Sequence, residues 1–252
     1  MFADLPLYVT AFFLLFARVG SVIALLPVFS EDGIPNQIRL LAAGAMTLAL
    51  WALLSGKVMP LARQGDAVFV GALFAELMVG LSLGLVMRLM FQAITIAGSI
   101  MSLNIGLSMA MMFDPAQASQ SAILSRFIAV AAAVVCMAMH VHHLWIGALI
   151  KSYGLFPVGA LPNASDFAQL AIRVSGDALT LGLSLAAPVV VYAIVFNVVL
   201  GLSARIAPAI QVFFIAQPLN LLLGITITAS VLGSVLIAFA NAQAAWLNNG
   251  WG

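Results

Sequence analysis

The stretches of this chain that lack any acidic or basic side chain constrain it most. Counting histidine as neutral, 17 residues separate Arg39 from Lys57, 25 separate Arg88 from Asp114, 24 separate Arg126 from Lys151, 27 separate Asp177 from Arg205, and 47 follow Arg205. A helix crosses roughly 30 Å of hydrocarbon with about 20 apolar residues, all of its backbone groups bonded internally. The gaps have that length and predict an all-α integral membrane protein. Composition closes off the soluble alternative, because 64% of the 252 residues are apolar and 7% are charged, whereas a soluble domain carries roughly 25% charged residues. A net charge of +1 with no basic run leaves nothing to neutralise phosphates, which excludes nucleic-acid binding.

Apolar helical segments are predicted at about 5–29, 40–56, 67–87, 89–112, 123–150, 178–203 and 212–242. The connection from Ser30 to Arg39 holds Gly33 and Pro35, and that from Lys57 to Asp66 holds Pro60 and Gly65. Both are short and rich in turn formers, so the first three segments should be antiparallel neighbours. The stretch 151–177 contains Gly154, Pro157, Gly159 and Pro162 and four charges, and it reads as a water-facing linker. Beyond it, Arg205-Ile206-Ala207-Pro208 separates two long apolar runs, making 178–242 a helical hairpin. Arg18 lies inside the first apolar run instead of before it, so the N-terminus is expected to be retained and not cleaved as a signal peptide. Cys136 is the single cysteine and builds no disulfide framework.

Several patterns carry a chemical reading and a structural one. Gly80-Leu81-Ser82-Leu83-Gly84 matches the G-x-S-x-G of hydrolases, but that motif requires a strand, a sharp turn and a helix. Inside an apolar helix the same residues form a G-x-x-x-G face that lets another helix approach closely. Gly-Leu-Ser itself recurs at Gly80, Gly106, Gly182 and Gly201. Cys136, His140 and His143 fall at i, i+4 and i+7, one face of a helix. They could ligate a metal, but no carboxylate lies nearby in sequence, and the expected role is polar contact near a helix end, with Trp145 at the headgroups. Arg18 and Glu76 sit mid-segment, where an isolated charge costs at least about 2.5–3.5 kcal/mol. They must pair, face water or face another subunit; an ion pair that sets assembly is favoured over a proton relay, which ordinarily has more than one acid.

The stretch 102–121 is the most informative. Six of the twelve methionines fall within 87–112, and Met109, Met111, Met112 and Phe113 cluster before Asp114-Pro115, a pair that can stop one helix and cap the next. A polar, uncharged run through Gln117, Ser119, Gln120 and Ser121 follows. Methionine is flexible and polarizable and fills irregular gaps. Such a tip beside a polar loop suits a gasket in an aqueous path, or else simple apolar filler.

With those residues named, the chain resembles the FliR family of flagellar export-gate subunits, whose relatives serve virulence type III secretion. The resemblance rests on FARVGSVIALLPVFSEDGIPNQIRL at 16–40, AELMVGLSLGLVMRL at 75–89, NIGLSMAMMFDP at 104–115, HHLWIGAL at 142–149 and PVVVYAIVFNVVLGLSARIAPAIQVFFIAQPL at 188–219, taken in their order and spacing. Gln217 precedes Pro218 where the family pattern has glycine.

The resemblance implies a FliP-like half at 1–150, the linker 151–177 and a FliQ-like hairpin within 178–252. It implies a plug loop at 106–121, so that Met109, Met111, Met112, Phe113 and Asp114 close a pore. FliP-like, FliQ-like and FlhB-like subunits are the implied partners, with membrane lipid around them and unfolded flagellar proteins as cargo. The implied place is the bacterial inner membrane at the flagellar basal body. Family hairpins assemble largely raised out of the bilayer, so the seven segments are helices first and spans second. No cofactor, catalytic residue or metal is expected, and the chain has no phosphate-binding G-x-x-x-x-G-K-[ST] loop. A small proton-coupled transporter with Glu76 and Arg18 as its coupling site, and a virulence-system homologue, are the alternatives.

Overall fold

The computed structural model of the protein describes residues 5–29, 34–107, 120–206 and 212–250. Among these it is all-α, with seven helices: α1 (Leu5–Leu25), α2 (Asn36–Ala62), α3 (Asp66–Asn104), α4 (Gln120–Ala138), α5 (Val141–Leu155), α6 (Ala164–Ile206) and α7 (Val212–Asn248). Five are long and apolar enough to cross a membrane, and the broken pair α4 and α5 makes a sixth if it counts as one span.

Three boundaries differ from the sequence reading, each for a local reason. The segments 67–87 and 89–112 are joined in α3, because Arg88 lies on an exposed face and a charge there leaves the backbone ladder intact. The segment 123–150 is instead interrupted, since His140 adopts φ 62° and its N–H bonds back to the Met137 carbonyl at 3.1 Å. The third difference is the start of α6 at Ala164, inside the supposed linker. Asn163 caps it by accepting the Ser165 N–H on Oδ1 at 3.1 Å, which satisfies one of the orphan donors of the first turn. Asp166 follows in that turn, where the helix dipole favours an anion. The prolines of the linker, with Gly154 and Gly159, fall within 154–162, and the charges beyond them ride on exposed helix together with Gly176.

The chain divides into two compact units that interleave in sequence: Met1–Met90 with His142–Ser175 and Leu247–Gly252, and Phe91–Val141 with Gly176–Trp246. This partition differs from the division at 1–150, 151–177 and 178–252.

In the first unit the G-x-x-x-G pair of α3 lies against α1. A Cβ on Gly80 would run into Ser21 Oγ and the Arg18 carbonyl, and one on Gly84 would lie 2.8 Å from Leu25 Cβ. The two backbones therefore meet at glycine, around a core of Leu14, Leu15, Val19, Val79 and Leu83. Helix α2 meets α1 through Ala43, 3.8 Å from the place of a Gly20 Cβ, and through Trp51, whose ring centroid is 6.4 Å from those of Tyr8 and Phe12.

In the second unit the latter part of α3, with Ala93, Ile94, Ala97, Met101 and Ile105 all buried, touches three other helices. It meets α4 at Gly98, where a Cβ would be 2.8 Å from Ser125 Cα, and α6 at Ala93 and Ile96, which crowd Gly182. It meets α7 where Phe91 packs edge-on to Phe239 at 5.2 Å, and again where Ile105 covers Gly224.

Candidate functional site

Two constellations hold the polar groups of interest, one in each unit. In the first, Arg18 and Glu76 are both 0% exposed. Arg18 Nε donates to Glu76 Oε2 at 2.7 Å and Nη2 to Oε1 at 2.8 Å, the two-pronged geometry in which guanidinium and carboxylate match best. The remaining donors are also used: Nη1 and Nη2 each reach the Phe156 carbonyl at 3.1 Å, and Nη1 reaches Ser152 Oγ at 3.4 Å. The guanidinium carbon stands 4.0 Å from the centroid of the Tyr153 ring, a cation–π contact. Glu76 Oε1 in turn accepts the Gly159 N–H at 3.1 Å. The pair thus ties α1 and α3 to the end of α5 and the turn after it. A coupling carboxylate must exchange its proton with water, and this one is enclosed and holds a cation.

The second constellation surrounds the point where α3 ends. Gly106 has φ 86°, and a Cβ on it would lie 3.2 Å from both Gln217 Oε1 and Asn220 Nδ2. Tyr192 of α6 donates its hydroxyl to Asn220 Oδ1 at 2.9 Å and to the Asn220 carbonyl at 3.1 Å. Farther back along α3, Ser125 of α4 donates to the Thr95 carbonyl at 2.8 Å and accepts from Ser99 Oγ at 3.3 Å. Next to this root an apolar cavity of about 440 Å³ is lined by Ile105, Leu107, Ile123, Phe127, Ile128 and Ile225, among others. The residues chosen from sequence as a plug, Met109, Met111, Met112, Phe113 and Asp114, lie outside the described residues.

Cys136, His140 and His143 do not share a helix face, because α4 ends at Ala138 and α5 begins at Val141. Among the described residues no cluster of three or more His, Cys, Asp or Glu could hold a metal. The hydrolase reading of Gly80 to Gly84 fails on its context, since Ser82 stands mid-helix between two glycines pressed on α1. Sequence reasoning missed Ser152, Tyr153, Phe156 and Gly159 as the surroundings of Arg18, and Tyr192 and Asn220 as a cross-link. The last two carried a usable signal: polar side chains within apolar helices serve as interhelical glue.

The outward faces are also informative. Along α6, Leu179, Leu183, Val191, Ile194, Val195, Val198, Val199 and Leu202 are more than half exposed, between Ile172 at 74% and Ile206 at 84%. Exposed Arg173 and Asp177 separate Ile172 from this series, and exposed Arg205 precedes Ile206, so the uncharged run is Leu179 to Leu202, about 35 Å at 1.5 Å per residue. A run of that length fits roughly 30 Å of hydrocarbon at a tilt of about 30°, within the observed range of 0–40°.

The sequence matches the family model described as bacterial export proteins, family 1, over residues 9–245. It is 36% identical over 234 residues to the flagellar biosynthetic protein FliR of Caulobacter vibrioides, covering 93% of this chain and 92% of that one. It is 31% identical over 217 residues to the protein of the same name from Escherichia coli, covering 85% and 81% respectively. The Bacillus subtilis protein of that name is 28% identical over 214 residues, with 84% and 82% covered. With its long apolar helices, and with that match spanning nearly its whole length, the chain belongs to family 1 of the bacterial export proteins and is a membrane-embedded component of flagellar export.

Proposed function

We propose that the chain is a core subunit of the flagellar export gate in the bacterial inner membrane. With FliP-like and FliQ-like subunits, and beside an FlhB-like one, it forms the channel through which unfolded flagellar proteins leave the cytoplasm. The observation that carries this reading is the match of nearly the whole chain to a flagellar biosynthetic protein FliR, and the exposed apolar run of α6 from Leu179 to Leu202 offers partners a surface to meet. Similar hairpins on partner subunits would bury that run and leave a path between them. At rest Met109, Met111, Met112 and Phe113, followed by Asp114, close that path as a soft seal, and they yield when a chain enters.

The test has two arms. Co-expression with the FliP-like and FliQ-like proteins of the same organism should give one complex that survives purification; recovery of this chain alone would refute the assembly. In vesicles carrying the complex, deletion of residues 109–113 should raise ion leakage, and conductance equal to the parent would refute the seal. The transporter alternative predicts that Glu76→Gln abolishes proton-coupled solute uptake, whereas a gate subunit at most assembles poorly.

A further inference from the structure

We propose that one face of α7, made by Gln217, Asn220 and Gly224, is the seat that fixes the end of α3, so that α7 sets the resting position of the seal. This rests on the reading of 109–113 as a seal and adds the residues that position it.

Positions 217, 220 and 224 are spaced i, i+3, i+7 and share one side of a helix. Each meets the end of α3. Ile105 is fully buried, and its Cβ and Cγ2 stand 2.6 Å from where a Gly224 Cβ would be. The next residue, Gly106, turns left-handed at φ 86°, and a Cβ there would press on the Gln217 and Asn220 side chains at 3.2 Å. Asn220 is buried and held by the Tyr192 hydroxyl, so the seat is bonded to α6 as well. Nine residues before α3 ends, Ser125 bonds α4 to the Thr95 carbonyl. Pro218 stands within the seat and has no N–H for the helical ladder, the usual cause of a kink. A bend there would lift the seat from Ile105 and carry the root with it.

The experiment measures resting ion leakage of the assembled complex in vesicles, with assembly checked for each variant. Gly224→Ala puts a methyl into Ile105 and should favour the unseated state, raising the leak roughly tenfold, the scale of a one-methyl overpacking. Tyr192→Phe removes only the hydroxyl that holds Asn220 and should raise it in the same direction. Gly233→Ala, on the same helix but with nothing within 4 Å of its Cβ, should leave it unchanged. In the 109–113 deletion Gly224→Ala should add no further leak, an outcome that general destabilisation would not give.

A leak equal to the parent in Gly224→Ala and Tyr192→Phe, with the deletion itself leaking, overturns the seat alone. An intact, non-leaking deletion overturns the seal and the seat together. An additive leak in the double variant shows that α7 acts elsewhere and also overturns the proposal. If Gly224→Ala fails to assemble, Tyr192→Phe decides.

Discussion

Replacing Glu76 by Ala leaves Arg18 charged, fully buried and deprived of its only anionic partner in the described structure. Three hydrogen bonds go with the carboxylate: those of 2.7 and 2.8 Å to Arg18 Nε and Nη2, and that of 3.1 Å from the Gly159 N–H. What remains for the cation is the Phe156 carbonyl, Ser152 Oγ and the Tyr153 ring. Breaking a buried pair from one side costs about 3–5 kcal/mol. For a chain of this size that corresponds to a melting temperature lower by about 6–20 °C. The assay is thermal unfolding of the detergent-purified complex, followed by tryptophan fluorescence.

The companion variant Arg18→Met with Glu76→Leu removes both charges. It should melt well above Glu76→Ala, because an apolar replacement of a buried pair is close to neutral. It should still fall short of the parent, since the Phe156 carbonyl and the Gly159 N–H lose partners worth about 1–3 kcal/mol each. A Glu76→Ala complex that melts within about 2 °C of the parent, or a double variant no better than the single, would refute the claim that this pair holds α5 to α1 and α3.

Three further outcomes follow from the packing. Gly80→Val should lower the melting temperature sharply, because its side chain would enter the Ser21 hydroxyl and the Arg18 carbonyl, whereas Gly71→Ala, with nothing within 4 Å, should be neutral or gain up to about 1 kcal/mol from helix propensity. Ser125→Ala should cost about 1 kcal/mol through the lost bond to the Thr95 carbonyl, measured by the same unfolding assay. Asn163→Ala should cost a similar ~1 kcal/mol and increase protease cleavage between residues 156 and 166, since it uncaps α6.

What the sequence made legible follows from which forces act through side-chain pattern. Membrane residence, an all-α fold and the packing use of Gly80 and Gly84 are pattern effects, visible as uncharged length and as small residues four apart. The break at His140 is not, because neither glycine nor proline marks it; the neighbouring residues are ordinary helix formers and one backbone angle makes the difference. Arg88 misled in the opposite direction. It reads as a boundary in hydropathy, yet a long charged side chain can point outward from an unbroken helix. The start of α6 was hidden by proximity, since Pro157, Gly159 and Pro162 lie just before a capped helix whose first turns are polar. The partners of Arg18 were partly illegible for a further reason: the Phe156 carbonyl and the Gly159 N–H are backbone groups, which any residue would present.

The same contrast explains how so few polar groups organise so apolar a chain. Where lipid surrounds a protein, apolar contact between helices gains little over contact with lipid tails, so close packing and interhelical hydrogen bonds decide which helices meet. The interior follows that rule: Arg18 with Glu76, Ser125 with Thr95 and Tyr192 with Asn220 each sit beside a glycine contact, at Gly80, Gly98 and Gly106. The exterior of α6 from Leu179 to Leu202 is mostly branched aliphatic, with Thr180, Ser184 and Asn197 as the exposed polar side chains. A surface of that kind offers few hydrogen bonds, so a partner that meets it is matched mainly by shape. A charge introduced at Val195 or Val198 should therefore spare the fold of this chain and abolish its incorporation into the complex.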